Sequence, residues 1–163
     1  MKTLDEKAFS LYSSDVRLPL ENEAEEHPMI PQDQVNELVQ KAIAARTRAY
    51  TPYSKFNVGA VVIDETGKEI SGCNVENASY GLSMCAERTA IFKAVSEGSK
   101  TIETVVVVGD TDGPISPCGA CRQVIAEFAS DDFTLILANM AGDTKVMTKE
   151  EMLPYGFSPK DLT

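Results

Sequence analysis

Between Gln32 and Tyr50 the apolar side chains Val35, Leu38, Val39 and Ala42 fall at i, i+3, i+4 and i+7, the period of a helix with one buried face. Thr51-Pro52-Tyr53-Ser54 stops that helix, because proline cannot continue a helix interior. The period then changes. Val58-Gly59-Ala60-Val61-Val62-Ile63 and Glu69 to Val75 flank Asp64-Glu65-Thr66-Gly67, which predicts two strands joined as a hairpin. A second helix is expected from about Cys85 to Ser96, with Ala90, Ile91, Ala94 and Val95 as its stripe and Gly98 as its C-cap. Thr104-Val105-Val106-Val107-Val108-Gly109 is too uniformly apolar for a strand with one wet face, and belongs at the centre of a sheet. A loop from Asp110 to Pro117 leads to a third helix, Cys118 to about Ala129, carrying Val124, Ile125 and Phe128. Strands from Phe133 to Ala138 and from Lys145 to Met147, a helical turn over Glu150 to Leu153 and an irregular tail complete the chain. The order α-β-β-α-β-α-β-β predicts an α/β fold with a mixed five-stranded sheet packed with helices.

The first 31 residues do not fit this pattern. Seven acids (Asp5, Glu6, Asp15, Glu21, Glu23, Glu25, Glu26) stand against Lys2, Lys7 and Arg17, and Pro28 and Pro31 mark a boundary. Such a stretch cannot bury enough apolar surface to order itself, so residues 1–31 are expected to be a mobile or loosely docked extension. Its Phe9, Leu11, Tyr12, Val16 and Leu18 leave open a regulatory or subunit-contacting arm. Residues 32–163 are then one domain, long enough for a full core.

Composition narrows the function classes. The net charge of −10 and the lack of a basic patch argue against a nucleic-acid groove and favour a small neutral partner. No apolar run approaches the ~20 residues of a membrane span. The acidic start lacks the order of a signal or transit peptide, so the cytoplasm is the expected compartment.

The candidate chemistry sits at two predicted helix starts. Cys85-Ala86-Glu87-Arg88 opens the second helix and Pro117-Cys118-Gly119-Ala120-Cys121-Arg122 the third. Helix N-termini carry partial positive charge and unpaired N–H groups, and lower thiol pKa values. A structural zinc site is closed by four protein ligands, whereas a catalytic one keeps three and leaves a position to water. Three thiols with an unattached carboxylate therefore suggest a working site with Cys85, Cys118 and Cys121 as ligands and Glu87 as proton carrier. Zinc with three thiolates has a net charge of −1, so compensation is expected from the helix dipoles, Arg88 and Arg122. Other arrangements remain open. Cys118-Gly119-Ala120-Cys121 alone suits a redox dithiol or half a zinc ribbon, and Cys73 would close a structural site if it were not a small buried hydrophobe. His27, the single histidine, stands apart among acids and reads as solvated. Asn74 and Glu76, two apart on a strand, share a face and could grip neighbouring hydroxyls or simply be solvated. Phe56 is on its face another core aromatic.

Three stretches resolve most of these alternatives. Cys85-Ala86-Glu87-Arg88-Thr89-Ala90, Ser116-Pro117-Cys118-Gly119-Ala120-Cys121-Arg122-Gln123 and Gly72-Cys73-Asn74-Val75-Glu76-Asn77-Ala78 resemble the cytidine deaminases that act on free nucleosides. The resemblance runs from about Gln32 to Leu162. That zinc deaminase class includes three-cysteine members and a glutamate that is not a ligand. The resemblance implies a three-layer cytidine deaminase-like fold over 32–163 and a single zinc per chain. It implies hydrolysis of cytidine and 2′-deoxycytidine to uridine and 2′-deoxyuridine plus ammonia, as in pyrimidine salvage. In the family the residues matching Asn74 and Glu76 hold the ribose, notably its 3′-hydroxyl, and the carboxylate disfavours a phosphorylated ligand. The match to Phe56 packs on the pyrimidine, the Ala86 N–H would bond O2 of the base, and Ala78 is among the substrate contacts. Tyr80 and Phe157 match residues that reach a neighbouring subunit's pocket in homotetramers with shared active sites. The competing expectations are a related deaminase of another small aminopyrimidine nucleoside, such as the blasticidin type, and a catalytically silent zinc-stabilised scaffold.

Overall fold

The computed structural model describes residues 30–162; most of the acidic extension, with His27, lies outside the described residues. The elements are α1 (Gln32–Arg46), β1 (Val58–Asp64), β2 (Glu69–Cys73), α2 (Ala86–Ser96), β3 (Ile102–Gly109), α3 (Gly119–Phe128), β4 (Ala129–Asn139), β5 (Thr144–Met147) and α4 (Lys149–Met152). The strands form one mixed sheet in the order β2-β1-β3-β4-β5, parallel only between β3 and β4. The valine-rich β3 is its central strand, as a strand without a wet face must be.

Three layers follow from which faces are apolar. The stripe of α1 (Val35, Leu38, Val39, Ala42) packs on Val61, Val106, Val108, Ile136 and Ala138 on one side of the sheet. On the other, Ala86, Ala90, Ile91 and Ala94 of α2, Ile125 of α3 and Met152 of α4 cover Ala60, Val62, Val105, Val107, Leu135 and Leu137. Alternate residues of β1, β3 and β4 thus serve opposite cores, the period-2 geometry of a strand buried on both faces.

The helix α1 ends at Arg46, four residues short of the expected Tyr50. Sheet-side partners take the intervening backbone: the Tyr50 N–H donates to Asn74 O (3.0 Å) and Tyr50 O accepts from Glu76 N–H (2.8 Å). The strand β4 begins at Ala129 rather than Phe133, because α3 runs directly into it and Ala129 pairs with Ile102. Cys73, expected to be buried, is only half-buried; it lies on the edge strand and faces away from α2, where neighbouring Gly72 makes the close contact.

Register decides where a site can form. β1 runs antiparallel to both neighbours, with Val58 opposite Gly109 and Gly59 opposite Cys73. The start of β1 and the ends of β2 and β3 therefore share one rim, and the connections leaving that rim lead into α2 and α3. Ligands of open α/β sheets gather at such a rim, outside the carboxyl ends of the parallel strands.

Gly72 sets the distance between α2 and this rim. A Cβ there would lie 2.5 Å from Ala90 N and 2.7 Å from Ala86 O, both helix backbone atoms that cannot swing aside. Gly72→Ala is expected to cost about 1–3 kcal/mol of stability by overpacking, more than the ~0.4–1 kcal/mol gained from a stiffer unfolded chain. Urea unfolding measures the difference, and a midpoint equal to the parent's would show that α2 can shift outward freely.

Candidate metal centre

Cys85 and Cys118 are the N-cap residues of α2 and α3, in extended conformation (φ −74° and −67°). Neither thiol caps its helix by accepting from a backbone N–H, so both are left to point into the space between the two helix starts. One turn into α3, Cys121 is fully buried and completes the group: the three Sγ atoms lie within 4.8 Å of one another. Cys85 and Cys118 are 3.9 Å apart at sulfur. A tetrahedral zinc with arms of about 2.3 Å places its sulfurs about 3.8 Å apart, so this donor set fits the ion. Cys73 is not in the group, which removes the closed four-cysteine arrangement.

The electrostatics divide the ligands. Cys121 as a hydrogen-bond donor, then Arg88, draw the Cys85 thiol down to about 5. Arg88 Nη2 lies 3.6 Å from Cys85 Sγ, which puts a positive charge beside the sulfur group. Arg122 does not share that work. Its Nε donates to Pro117 O (3.0 Å), Nη1 to Met152 O (2.8 Å) and Nη2 to Ser116 Oγ, so it braces the Cys118 loop against α4. Next to it, Gln123 Nε2 donates to Phe157 O (2.9 Å) and pins the tail.

Glu87 follows Cys85 by two residues, lies in the first turn of α2 and is 4% exposed. Burial pushes its carboxyl up from the ordinary glutamate value, and the Cys85 charge adds to this. A carboxyl raised in this way gives up and regains a proton more readily near neutral pH.

A cleft of about 590 Å³ opens on this group. Glu87, Cys85 and Cys118 line its floor; Phe56, Val58, Met84 and Ile115 its walls; Asn74, Glu76, Ser54, Tyr53 and Tyr80 its mouth. Phe56, 37% exposed, presents its ring to the cleft instead of joining a core. Gly109 makes room behind it: a Cβ there would lie 2.5 Å from Ile115 Cδ1 and 3.4 Å from Phe56 Cζ. Ala86, fully buried as the first residue of α2, has one of the N–H groups that a helix start leaves without an intrahelical acceptor. Tyr80 meets Tyr53 edge to face at 5.9 Å between ring centres, so it stands at the mouth of its own chain's cleft. Ala78 and Phe157 are not brought into it. Ala78 is exposed on the preceding loop, and Phe157 is exposed in a separate groove with Pro154 and Tyr155.

Asn74 and Glu76 lie just past the end of β2 rather than within a strand, flanking an isolated bridge at Val75. They are not the free pair the sequence suggests. Asn74 Nδ2 donates to Phe56 O (2.8 Å) and its Oδ1 accepts from Val58 N–H (2.8 Å). Glu76 Oε2 accepts from Tyr53 N–H (3.0 Å) and Ser54 N–H (3.2 Å), and Oε1 from the Ser54 hydroxyl. These donors, Ser54 first, hold the Glu76 carboxyl below its ordinary value. Ser54, Ser83, Met84, Ile115 and Ser116 are cleft residues that patterning could not single out. Two of them had a signal: Ser54 its place in Tyr53-Ser54-Lys55-Phe56 beside a ring with a candidate role, and Ser116 its place at the head of the Cys118 stretch.

The chain is similar to known proteins in sequence and in fold. The family profile for the cytidine and deoxycytidylate deaminase zinc-binding region matches residues 32–137. The cytidine deaminase of Sporosarcina psychrophila is 50% identical over 129 residues, spanning 79% of this chain and 95% of that one. The crystal structure of cytidine deaminase from Burkholderia pseudomallei superposes with a TM-score of 0.72 at 49% identity, covering 75% of this chain and 98% of that one. The blasticidin-S deaminase of Bacillus cereus is 37% identical over 130 residues, 75% of this chain and 91% of that one.

Proposed function

The chain belongs to the family of zinc-dependent cytidine deaminases, and from that premise we propose that its cleft takes a free cytidine or 2′-deoxycytidine and replaces the amine at C4 by oxygen, releasing ammonia and uridine or 2′-deoxyuridine. The observation that carries this reading is the buried Glu87 carboxyl on the floor of a cleft whose other floor residues, Cys85 and Cys118, belong to a zinc-compatible sulfur group.

Cys85, Cys118 and Cys121 would hold the zinc, and the chemistry the ion would supply there is a water acidified to near-neutral pKa. Glu87 would carry two protons in turn: one from the attacking water to N3 of the pyrimidine, then the remaining one, from the new hydroxyl at C4 as its C4=O bond forms and the C4–N bond breaks, to the departing amine. Phe56 packs on the ring and the Ala86 N–H meets O2, which fixes C4 over the sulfur group. At the mouth, the hydrogen bonds already made by Asn74 and Glu76 leave one amide N–H and about one carboxylate acceptor site. That supply suits one hydroxyl, which accepts from Asn74 and donates to Glu76, rather than a neighbouring pair. A 3′-hydroxyl meets this need in ribose and deoxyribose alike. A phosphate brought to the same carboxylate would meet like charge, which costs several kcal/mol.

Residues 32–163 form the catalytic unit of this reading, and its partner is a small nucleoside rather than a nucleic acid, in keeping with the net charge of −10. Tyr80, Leu82, Tyr155 and Phe157 are large apolar residues left exposed, a distribution that supports a homotetramer in which neighbouring copies cover the cleft mouth. Among the described residues no helix is long and apolar enough to cross a membrane; a cytoplasmic enzyme of pyrimidine salvage agrees with this.

Ammonia release from cytidine, 2′-deoxycytidine and cytidine monophosphate, with zinc quantified on the same sample, tests the reading. Both nucleosides should react within about 10-fold of each other in kcat/KM, and the nucleotide at least ~100-fold more slowly. Stoichiometric zinc with none of the three reacting would transfer the argument to a different aminopyrimidine, in line with the Bacillus cereus relative, or to a scaffold.

A further inference from the structure

The segment Tyr53-Ser54-Lys55-Phe56 carries the ring that faces the cleft, yet it belongs to no helix or strand. Lys55 is held at φ +60°, a left-handed conformation uncommon for a residue with a side chain. Lys55 N–H donates to Thr51 O (3.2 Å) and Asn74 Nδ2 to Phe56 O (2.8 Å), which fix the backbone of the segment, and the Ser54 hydroxyl adds a link between its two ends. The Ser54 hydroxyl donates to Glu76 Oε1 and accepts from Phe56 N–H (3.0 Å). Among the described residues it is the side chain that hydrogen-bonds both the carboxylate expected at the sugar and the backbone of the residue expected at the base.

We propose that Ser54 is a positioning residue that couples the sugar-gripping carboxylate of Glu76 to the base-packing ring of Phe56. The proposal deepens the nucleoside reading and rests on it for its kinetic consequences. Its geometric content does not depend on the substrate. Without the hydroxyl, Glu76 Oε1 loses its donor and is free to rotate about the contacts made by Oε2, while Phe56 N–H loses its acceptor. Both changes loosen the mouth and leave the metal floor in place. Ser54 itself has its hydrogen occupied by Glu76, so it acts through Glu76 and Phe56.

The test compares Ser54→Ala and Ser54→Thr with the parent. A charge-assisted hydrogen bond lost at a partly wet site corresponds to about a 10-fold effect. For cytidine, KM in the alanine variant should rise about 10-fold while kcat changes less than about threefold, the signature of binding lost equally in ground and transition states. Discrimination between cytidine and 3′-deoxycytidine should be about 100-fold in the parent and fall below ~10-fold in Ser54→Ala, because a mobile carboxylate no longer reads the hydroxyl. Threonine, which keeps the hydroxyl, should restore both quantities. Amide hydrogen exchange is the second measurement: Phe56 N–H should exchange at least ~10-fold faster in Ser54→Ala and near the parent rate in Ser54→Thr.

A merely structural role would lower Tm and kcat together and leave the 3′-hydroxyl discrimination intact. That outcome, an unchanged Phe56 exchange rate, or a threonine variant as impaired as alanine would overturn the proposal. A parent protein inert toward cytidine would instead sink the nucleoside reading, and the exchange experiment would still decide whether Ser54 organises the segment.

Discussion

Glu87→Gln is expected to keep a full complement of zinc and to lower kcat by more than about 10⁴-fold. A single general acid or base contributes typically ~10²–10⁴-fold; the upper limit should be exceeded here because, in the proposed mechanism, one carboxyl would serve the attacking water, N3 and the leaving amine in turn. Glutamine keeps the size and the hydrogen-bonding outline of glutamate, so the loss isolates proton carriage from the shape of the floor. Stability should not fall with it. The carboxyl is 4% exposed and burial already disfavours its charged form, so a neutral side chain of equal volume removes a penalty. Glu87→Ala should retain zinc as well, while creating a small void. Zinc content, thermal unfolding and single-turnover deamination on the same preparations check all three points. A glutamine variant within ~10-fold of the parent would remove Glu87 from the proton path, whatever its place in the cleft.

The features of this site that could be read from the sequence are those where one residue type has one physical use. The valine run of β3 could only be a strand covered on both faces, and it is central. Cysteines at two helix starts could only converge if both starts met at one rim, and they do. Where a residue has several uses, patterning could not choose among them. Asn74 and Glu76 looked like a free polar pair because alternation reports the face of a strand and not the partners on it; both hold the neighbouring loop. Arg122 stands in the cysteine stretch just as Arg88 does, but the direction of its helix face turns it toward Met152 O. The end of α1 at Arg46 differs from the expected Tyr50 for a similar reason. The proline marks where a helix cannot continue, whereas the hydrogen bonds from Tyr50 to residues 74 and 76 mark where the backbone is already engaged. Each miss concerns a hydrogen-bond partner far away in the chain, which local periodicity does not encode.

Cys85→Ala should lose the metal as well as the activity, and so differ in kind from any change at Glu87. The sulfur group is compact, with three Sγ atoms within 4.8 Å, and no cysteine outside it is placed to substitute. Structural zinc in small peptides contributes roughly 10–16 kcal/mol from four ligands, or about 3 kcal/mol for each, so losing one thiolate should weaken zinc at least ~100-fold. Two further losses go with it. Cys85 is the sulfur drawn down toward thiolate, beside Arg88 at 3.6 Å; without it the guanidinium stays partly buried next to less negative charge. The space between the two helix starts also loses the sulfur that stands 3.9 Å from Cys118 Sγ. Zinc measured after dialysis against a chelator of graded affinity should fall to background in the variant under conditions where the parent remains fully loaded. Thermal unfolding should drop to that of the metal-depleted parent, since an ion bound only by the folded state stabilises it by mass action. A Cys85→Ala protein that holds stoichiometric zinc against the same chelator would mean that another residue closes the site. The open coordination position on which the deaminase mechanism depends would then have to be sought elsewhere.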